Sequence, residues 1–383
     1  MKIFSAFLWL TIFLFSKQLF AKTNCRIIFD AGSSGTRLYI YEKTSGVNAW
    51  IEHEGPKVEA IADPVREIRG KHWSNMNEVV QTIPKALDLI KTTSPDWKAF
   101  DWEKTCTIIS ASVLATAGMR MAEQQEPEKS KILWNSVKTA LSQKIGNNVP
   151  VLARTLTGFE EGLYAWLSVF QLRKGQSNFG IAEMGGASAQ VAFSCNNCPG
   201  SKQVLLDQGK SINIYSYSFL GLGGDVASEI FGVSPSCAYA AGESTPKWNE
   251  KMCADTINLK TDTGIKDPFN FNKGKKGTSV NIPLQNTKGL DWYLTGALSL
   301  LGTQISVDKC CMGKGPCYEP RTSCFRSVYF QKFLNELGIN LQSKKVSSSW
   351  TLGATICQEN NCLKNAGQLA CQWSNKGCLE GKQ

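Results

Sequence analysis

Two short segments of the chain share one pattern of apolar and polar positions. The first, Ile27–Tyr41, has an apolar run that ends in Asp30, a turn of small residues and a second apolar run. The second, Phe179–Phe193, repeats this order, with Glu183 at the end of its first run and glycines in its turn. The pattern predicts two β-hairpins with glycine-rich tips. Because they stand about 150 residues apart, we expect two lobes that face each other across a cleft.

The tips of both predicted hairpins suit an anionic ligand. Small residues let backbone N–H groups and hydroxyls approach a phosphate closely, and an acid at a strand end suits the hydrated divalent cation that accompanies phosphates. Either segment taken alone is more often an ordinary polar hairpin, and it is the repetition that favours a site. Neither segment fits the P-loop pattern, and neither opens a helix as a dinucleotide-binding turn does.

Periodicity elsewhere predicts further helices and strands. We expect a helix over 77–92, a buried strand over Thr105–Leu114, an amphipathic helix over Lys129–Ile145, a strand over Val149–Thr155 and an apolar helix over Leu163–Leu172. A chain of 383 residues is long enough for two domains with sizeable cores.

Small residues and a cation follow the strand predicted to end at Leu114. Ala117 and its neighbours again let the backbone approach a ligand, Thr116 offers a hydroxyl, and Arg120 can bind phosphate or carboxylate.

Two adjacent acids, Glu160 and Glu161, stand where a predicted strand gives way to a helix. Either acid could cap the helix N-terminus, where the helix dipole stabilises negative charge. The alternative is a general base that takes a proton from water attacking phosphorus. Since the chain has only two histidines, a carboxylate is the more available base and a serine–histidine pair is not favoured.

The N-terminus and the cysteines predict an exported protein. Residues 1–21 have the charge of Lys2, an apolar run over Ile3–Phe15 and a cleavage point at Ala21, as a signal peptide does. An uncleaved anchor is the alternative, but the run is short for a membrane span. All fourteen cysteines follow this segment, as expected for disulfides in an oxidising compartment. A zinc site at Cys195-Asn-Asn-Cys198 is the less favoured reading, and the pairing cannot be deduced.

The charge pattern does not favour a nucleic-acid partner. The formal charge is +10, or +8 once the two lysines of residues 1–21 are removed (10 − 2), and the basic residues are scattered. A nucleic-acid surface would show a basic stripe interleaved with aromatic residues. A mildly positive surface instead favours a small polyanionic substrate by electrostatic steering.

Four motifs in order resemble one family. DAGSSGTR, ATAGMR, TGFEEGLYAW and EMGGASAQ resemble the apyrase-conserved regions of the nucleoside triphosphate diphosphohydrolases, which belong to the actin, hexokinase and heat-shock ATPase superfamily. Weaker likenesses occur at Tyr215–Gly223, Asp291–Leu301 and Trp350–Gly353, so the resemblance spans most of the mature chain. It implies an α/β fold of two ribonuclease H-like lobes, with mixed sheets flanked by helices and the active site in the interlobe cleft. We expect lobe I to comprise 22–157 and 350–383, and lobe II 158–349.

The resemblance implies roles for the matching residues. Glu161 is similar to the family's catalytic base, and Ser188 and Gln190 to the residues that orient the attacking water. The residues that hold Mg²⁺ or Ca²⁺ through water, with Mn²⁺ as a further candidate, are implied to be Asp30, Thr116 and Glu183. The implied phosphate contacts are Ser33, Ser34, Gly35, Thr36, Arg37, Ala117, Arg120, Gly186 and Ala187. The candidates for clamping the nucleotide base are Trp292, Tyr293 and Tyr329, with a structural role for Trp350.

Two departures from the family pattern bear on specificity. The second hairpin has Glu183 where the family usually has Asp, and one extra methylene extends the carboxylate by about 1.5 Å. Mg²⁺ demands near-ideal octahedral geometry, so the longer acid favours Ca²⁺ or Mn²⁺. Gly224 stands where some relatives carry a basic residue that contacts the base, which predicts loose base selectivity.

The resemblance implies a monomeric, cation-dependent hydrolase of nucleoside tri- and diphosphates that forms no phosphoenzyme, and the signal peptide predicts that it is exported. Three alternatives stay open: an exopolyphosphatase-like phosphohydrolase, a sugar kinase of the same fold, and a nucleotide-binding protein without activity. The export signal, the cysteines and the region of Trp292 and Tyr293 favour nucleotides over polyphosphate as the substrate. The kinase is less favoured, because it needs an acceptor hydroxyl and a supply of ATP outside the cytoplasm.

Overall fold

The computed structural model describes residues 22–44, 46, 49–62, 76–206, 209–239, 247–272, 275–302, 304–315, 320–367 and 369. The predicted signal peptide, 1–21, and the C-terminal part of predicted lobe I, 370–383, lie outside these residues. Within the described ranges, no helix combines the length and the apolar character that a bilayer crossing requires.

The described residues form an α/β structure. Its strands are β1 Thr23–Gly32, β2 Gly35–Lys43, β3 Trp50–Val58, β4 Cys106–Ala115, β5 Val151–Thr155, β6 Phe179–Met184, β7 Ser188–Ser194, β8 Lys202–Leu205, β9 Ser211–Leu220, β10 Lys260–Thr261, β11 Gly264–Asn272, β12 Lys275–Val280, β13 Asp291–Gly296 and β14 Lys344–Lys345. Its α-helices are α1 Met76–Leu89, α2 Trp102–Thr105, α3 Ala117–Gln125, α4 Pro127–Ile145, α5 Gly158–Leu172, α6 Gly224–Phe231, α7 Glu250–Thr256, α8 Gln304–Cys311, α9 Pro320–Glu336 and α10 Trp350–Asn360.

The first sheet has the order β3-β2-β1-β4-β5. Strands β1 to β3 are antiparallel, whereas β4 and β5 run parallel to β1. Successive side chains of a strand point to opposite faces, so Ile27 and Phe29 pack towards α1 and α4. Ile28 packs on the other face, towards α5 and α10. Burial on both faces explains why the middle of β1, Ile27–Phe29, is a continuous apolar run.

The second sheet has the order β14-β13-β6-β7-β9-β8, with β13 parallel to β6 and β14 and the other pairs antiparallel. One face packs against α9. The other face, including Ile181 and Ala192, shares a core with α5, α10 and the first sheet. A third sheet of β10-β11-β12 completes the structure.

Helices α5 and α10 cross between the two large sheets at very close range. A Cβ atom on Gly353 of α10 would lie 1.8 Å from the Tyr164 carbonyl oxygen of α5. A Cβ atom on Gly162 of α5 would lie 2.3 Å from the Ser216 Oγ atom of β9. Glycine at these two positions therefore allows α5 to pack closely against both the second sheet and α10.

Most elements predicted from the sequence are present. Both hairpins form, as do the helices and strands predicted before residue 156. The helix predicted to begin at Leu163 begins instead at Gly158, because Thr157 caps it and Glu160 returns a hydrogen bond to Thr157.

The cysteines confirm the predicted disulfides. Five bridges join Cys25–Cys106, Cys195–Cys198, Cys237–Cys253, Cys311–Cys324 and Cys357–Cys362, and Cys310 is also disulfide-bonded. No cysteine in the described ranges is free. The Cys-x-x-Cys pair at the end of β7 is thus a disulfide and not part of a zinc site.

Candidate active site

The tips of the two hairpins meet at one cleft. The first tip is the two-residue turn Ser33–Ser34, and the second is the turn over 185–187. A Cβ atom on Gly186 would lie 2.3 Å from the Ser33 Oγ atom, so the glycine lets the tips approach this closely. The cleft has a volume of about 620 Å³ and is lined by residues of both large sheets, of α5 and of the segment before α10.

Besides Glu52 and Glu54 of β3, three acids from other elements line this cleft: Asp30 from β1, Glu161 from α5 and Glu183 from β6. Burial, reinforced by the charge of Glu161, raises the pKa of Asp30 to about 7. Burial, followed by the charges of Glu161 and Asp30, raises the pKa of Glu183 well above its ordinary range. The three carboxylates therefore repel one another and would be stabilised by a positive ion between them.

The donor set fits a hard divalent cation. The Glu183 Oε2 atom is buried and has no hydrogen-bond partner, which is costly for a carboxylate unless a cation or water compensates it. The Thr116 hydroxyl lines the same cleft. Carboxylate and hydroxyl oxygens, together with room for water, are what Mg²⁺ and Ca²⁺ take as ligands.

Glu161 is held by a buried polar network. The Arg120 guanidinium, fully buried, donates to the Glu161 carboxylate and to the Ser188 and Ser218 hydroxyls, each hydroxyl at 3.1 Å. Gln190 Nε2 donates to the same two hydroxyls, at 2.5 and 3.0 Å. Ser188 Oγ lies 3.4 Å from the Glu161 carboxylate. Burial raises the pKa of Glu161 and the positive charge of Arg120 opposes that rise.

The adjacent acid, Glu160, faces the other way. Its carboxylate accepts from the Thr157 backbone N–H at 2.8 Å and forms an ion pair with Arg154. Burial raises its pKa, but Arg154 and the hydrogen bonds from Thr157 outweigh burial and hold the pKa below its ordinary value. Glu160 is thus the helix-capping acid, which leaves Glu161 as the acid that faces the cleft.

The structure brings most of the sequence-predicted phosphate residues to the cleft and places the others behind it. Those that line the cleft are Ser33, Ser34, Arg37, Ala117, Gly186 and Ala187. The side chain of Arg37 also forms an ion pair with Glu54 of β3. Gly35 and Thr36 are buried in β2, and Arg120 and Gln190 lie beneath the cleft floor.

The three predicted base-binding aromatics do not line this cleft. Tyr329 is fully buried, and its hydroxyl donates to the Leu222 carbonyl oxygen. Trp292 packs against the core of the second sheet. Tyr293 is buried in the core shared by the two sheets, where its hydroxyl accepts from Arg173.

Several cleft residues had no role in the sequence-based expectations. The cleft is also lined by Ser347, Ser348, Ser349 and Trp350. The sequence predicted a structural role for Trp350 and no role for the three serines. A hydrogen bond from Trp350 to Asp30 partly opposes the rise of the Asp30 pKa. Ser218 was also missed, although it lies within the motif region Tyr215–Gly223. It stands opposite Gln190 on the neighbouring strand.

A solved structure shares the α/β fold with mixed sheets that this chain adopts. A nucleoside triphosphate hydrolase from Neospora caninum superposes with a TM-score of 0.54 and 13% identity, covering 88% of this chain and 92% of the other. At that identity the likeness concerns the fold alone, and it confirms the predicted fold class.

The family follows from the sequence comparison. The model of the GDA1/CD39 (nucleoside phosphatase) family matches residues 18–232, more than half of the chain, and the chain belongs to this family. Ectonucleoside triphosphate diphosphohydrolase 5 of Mus musculus is 28% identical over 223 residues, which are 53% of this chain and 47% of that protein. Ectonucleoside triphosphate diphosphohydrolase 1 of Bos taurus is 28% identical over 242 residues, 55% of this chain and 43% of that protein. The chain thus spans about half the length of the curated relatives it matches.

Proposed function

We propose that this chain is an exported hydrolase of nucleoside tri- and diphosphates that depends on a divalent cation. Glu161 is the general base that activates water for in-line attack on the terminal phosphorus. The observation that carries the proposal is the position of Glu161: it lies at the floor of a cleft between two glycine-tipped hairpins, with Ser188 and Gln190 beside it.

The reaction needs no covalent intermediate with the protein. Glu161 takes a proton from a water that Ser188 and Gln190 orient, and the water oxygen attacks the terminal phosphorus as the bond to the bridging oxygen breaks. Backbone N–H groups and hydroxyls of the hairpin tips stabilise the charge on the phosphoryl oxygens. Mg²⁺, Ca²⁺ or Mn²⁺ held by Asp30, Thr116 and Glu183 would neutralise phosphate charge.

Arg120 acts on the base rather than on the phosphate. It is fully buried, and its donors already contact Glu161, Ser188 and Ser218. A cation in this position favours the ionised carboxylate, which is the form that accepts a proton, and fixes its direction. Arg120 is therefore a positioning residue, whereas Glu161 contacts the reacting water.

The first experiment is phosphate release from ATP, ADP and AMP by the oxidised protein, with Mg²⁺, Ca²⁺, Mn²⁺ or EDTA. We expect cation-dependent release from ATP and ADP and none from AMP. Release in EDTA, or nucleotide binding without release under any cation, would refute the proposal. Addition of long polyphosphate to the ATP assay distinguishes an exopolyphosphatase, for which polyphosphate would be the better substrate.

A matched pair of variants tests the assignment of the base. Glu161→Gln should lower kcat by about 10²–10⁴-fold, the range for a general base, and leave nucleotide binding intact. Glu160→Gln should retain most of kcat but lower the stability by about 1.5–3 kcal/mol, because it weakens charged hydrogen bonds of the helix cap. Equal losses of kcat in the two variants would refute the assignment of Glu161.

A further inference from the structure

The acids of the two hairpins occupy equivalent positions but differ in length. Asp30 stands two residues before Gly32, and Glu183 stands two residues before Gly185. Each acid also faces a residue of the returning strand, Arg37 or Gln190. The extra methylene of Glu183 therefore requires additional space around its carboxylate, which Asp30 in the first hairpin does not require.

Gly296, at the end of β13, provides that space. It has a φ angle of +58°, and a Cβ atom on it would lie 2.8 Å from the Glu183 Oε1 atom and 2.5 Å from the Met184 carbonyl oxygen. Its neighbour Thr295 stands beside Glu183 in the parallel ladder between β13 and β6. Any side chain at position 296 would thus displace the Glu183 carboxylate, so the glycine fixes where this acid lies.

The second carboxylate oxygen has no hydrogen-bond partner in the protein, although its residue lines the cleft. Glu183 Oε2 is buried and unpartnered, while Glu183 and Gly296 both line the cleft together with Asp30. Gly296 is itself held in place, because its carbonyl oxygen accepts a 2.7 Å hydrogen bond from Ser299 Oγ. The carboxylate is therefore seated against a fixed backbone turn with one oxygen available to a ligand.

We infer that Glu183, seated against Gly296, coordinates the cation directly and makes this site prefer Ca²⁺ over Mg²⁺. The inference rests on the proposed function only in that a divalent cation occupies this cleft. Ca²⁺ accepts six to eight oxygens and binds carboxylates through one or both of them. Mg²⁺ requires a small octahedral shell and retains several waters. A carboxylate that reaches about 1.5 Å further displaces one of those waters, which costs Mg²⁺ more than Ca²⁺ because Mg²⁺ gives up its waters reluctantly.

The test measures cation binding without turnover. Mn²⁺ is added to the oxidised full chain without nucleotide, its free fraction is followed by electron paramagnetic resonance, and Ca²⁺ or Mg²⁺ is titrated as a competitor. We expect Ca²⁺ to displace half of the bound Mn²⁺ at a concentration at least about tenfold below that of Mg²⁺. In Glu183→Asp this ratio should shift by about tenfold towards Mg²⁺.

Glu52→Asp is the matched control. Glu52 lines the same cleft, and the substitution removes the same methylene. The Glu52 carboxylate accepts a 2.8 Å hydrogen bond from the Tyr41 hydroxyl, so the ratio of the Ca²⁺ and Mg²⁺ concentrations that displace Mn²⁺ should not change. A wild-type preference for Mg²⁺, or the same ratio in Glu183→Asp and wild type, overturns the inference even if phosphate release proceeds as proposed. A Ca²⁺ preference that Glu183→Asp reverses, in a protein that releases no phosphate, would support the inference and refute the proposed function.

Discussion

The two hairpins share a plan but differ in the residue that stands opposite the acid. Asp30 is paired across the strands with Arg37, whereas Glu183 is paired with Gln190. Arg37 turns to the cleft wall and forms an ion pair with Glu54. Gln190 turns inward and donates to the Ser188 and Ser218 hydroxyls beside Glu161. The same backbone plan thus places a charged side chain at the cleft wall in one hairpin and a neutral amide beneath the cleft in the other.

The tips differ in the same sense. Ser34 of the first tip is exposed, and its hydroxyl accepts from Lys57 at 3.1 Å. The second tip is held by the start of α6, since the Gly186 carbonyl oxygen accepts from the backbone N–H groups of Asp225 at 2.8 Å and Val226 at 3.1 Å. We therefore expect the first hairpin to contribute to substrate binding and the second to the chemical step.

Among the variants that compare the two hairpins, the largest expected effect comes from the second hairpin. Gln190→Leu removes both amide hydrogen bonds of Gln190 while keeping its approximate size, so the attacking water loses its orientation. We expect kcat to fall by about 10²–10³-fold, the loss typical for one donor of a preorganised site, with KM changed by less than about threefold. Steady-state kinetics with ATP measures both constants.

Ser216→Ala serves as the control for Gln190→Leu. Ser216 lies on the neighbouring strand β9, and its hydroxyl donates to the Phe159 carbonyl oxygen at 3.0 Å, away from the network at Glu161. It should lower stability by about 1 kcal/mol and leave kcat within about twofold. If Gln190→Leu changed KM alone, the division of roles between the hairpins would be wrong.

The raised pKa of Asp30, the acid of the first hairpin, predicts that the stability of the protein depends on pH. The folded-state pKa of Asp30 is raised to about 7, against about 4 in an unfolded chain. The folded protein therefore binds the Asp30 proton more tightly than the unfolded chain does. The resulting contribution to the free energy of unfolding is complete below about pH 4 and is lost as the pH rises to 7. Each pKa unit corresponds to about 1.4 kcal/mol, so the loss amounts to a few kcal/mol.

A divalent cation should restore this stability. The increase in Tm on adding Ca²⁺ should be small at pH 5 and large at pH 8, because the cation binds the ionised acids. In Asp30→Asn, the increase in Tm on adding Ca²⁺ should depend less on pH, as measured by scanning calorimetry. A cation effect that is the same at both pH values would contradict the placement of the ion beside Asp30.

A smaller effect is expected at the tip of the first hairpin. Ser33→Ala removes a hydroxyl that lines the cleft, and a hydrogen bond to a charged group contributes about 1.5–3 kcal/mol. We expect KM for ATP to rise by about tenfold or more while kcat stays within about threefold. A fall of kcat at unchanged KM would assign the first hairpin to the chemical step.

The smallest effect should come from Lys57. Its ammonium group donates to Ser34 at an exposed position, where charge interactions are screened by solvent and salt. Lys57→Met should raise KM by about twofold at low ionic strength and have no effect at 0.5 M salt. An effect of the same size at both salt concentrations would mean that Lys57 contacts the substrate directly.

The sequence predicts the local features of this site well, because strand, tight turn and strand depend on neighbouring residues. It predicts the start of α5 poorly. Gly158 and Gly162 lower helix propensity, yet Gly162 is required by the close approach to Ser216. The combination of Thr157 and Glu160 is a capping-box signal that could have located the helix start.

Features that depend on distant contacts were not predictable from local pattern. Trp350 lines the cleft because α10 packs on α5, and nothing near Trp350 in the sequence indicates this. The aromatic side chains of Trp292 and Tyr293 suit a base-binding site in type, but packing places both in cores. The aromatic residue type indicated that these side chains could stack on a base, whereas only the tertiary structure shows which side chains reach the cleft.

The cleft wall formed by Ser347–Ser349 and Trp350 is also the last part of the site to be synthesised. These residues follow Asp30 by about 320 positions. On the ribosome, both hairpins can form from local contacts while α5 still lacks the helix that covers it. Contacts between residues so distant in sequence close a long loop and form slowly. The cleft therefore becomes complete only after the segment that carries Ser347–Ser349 and Trp350 has been made.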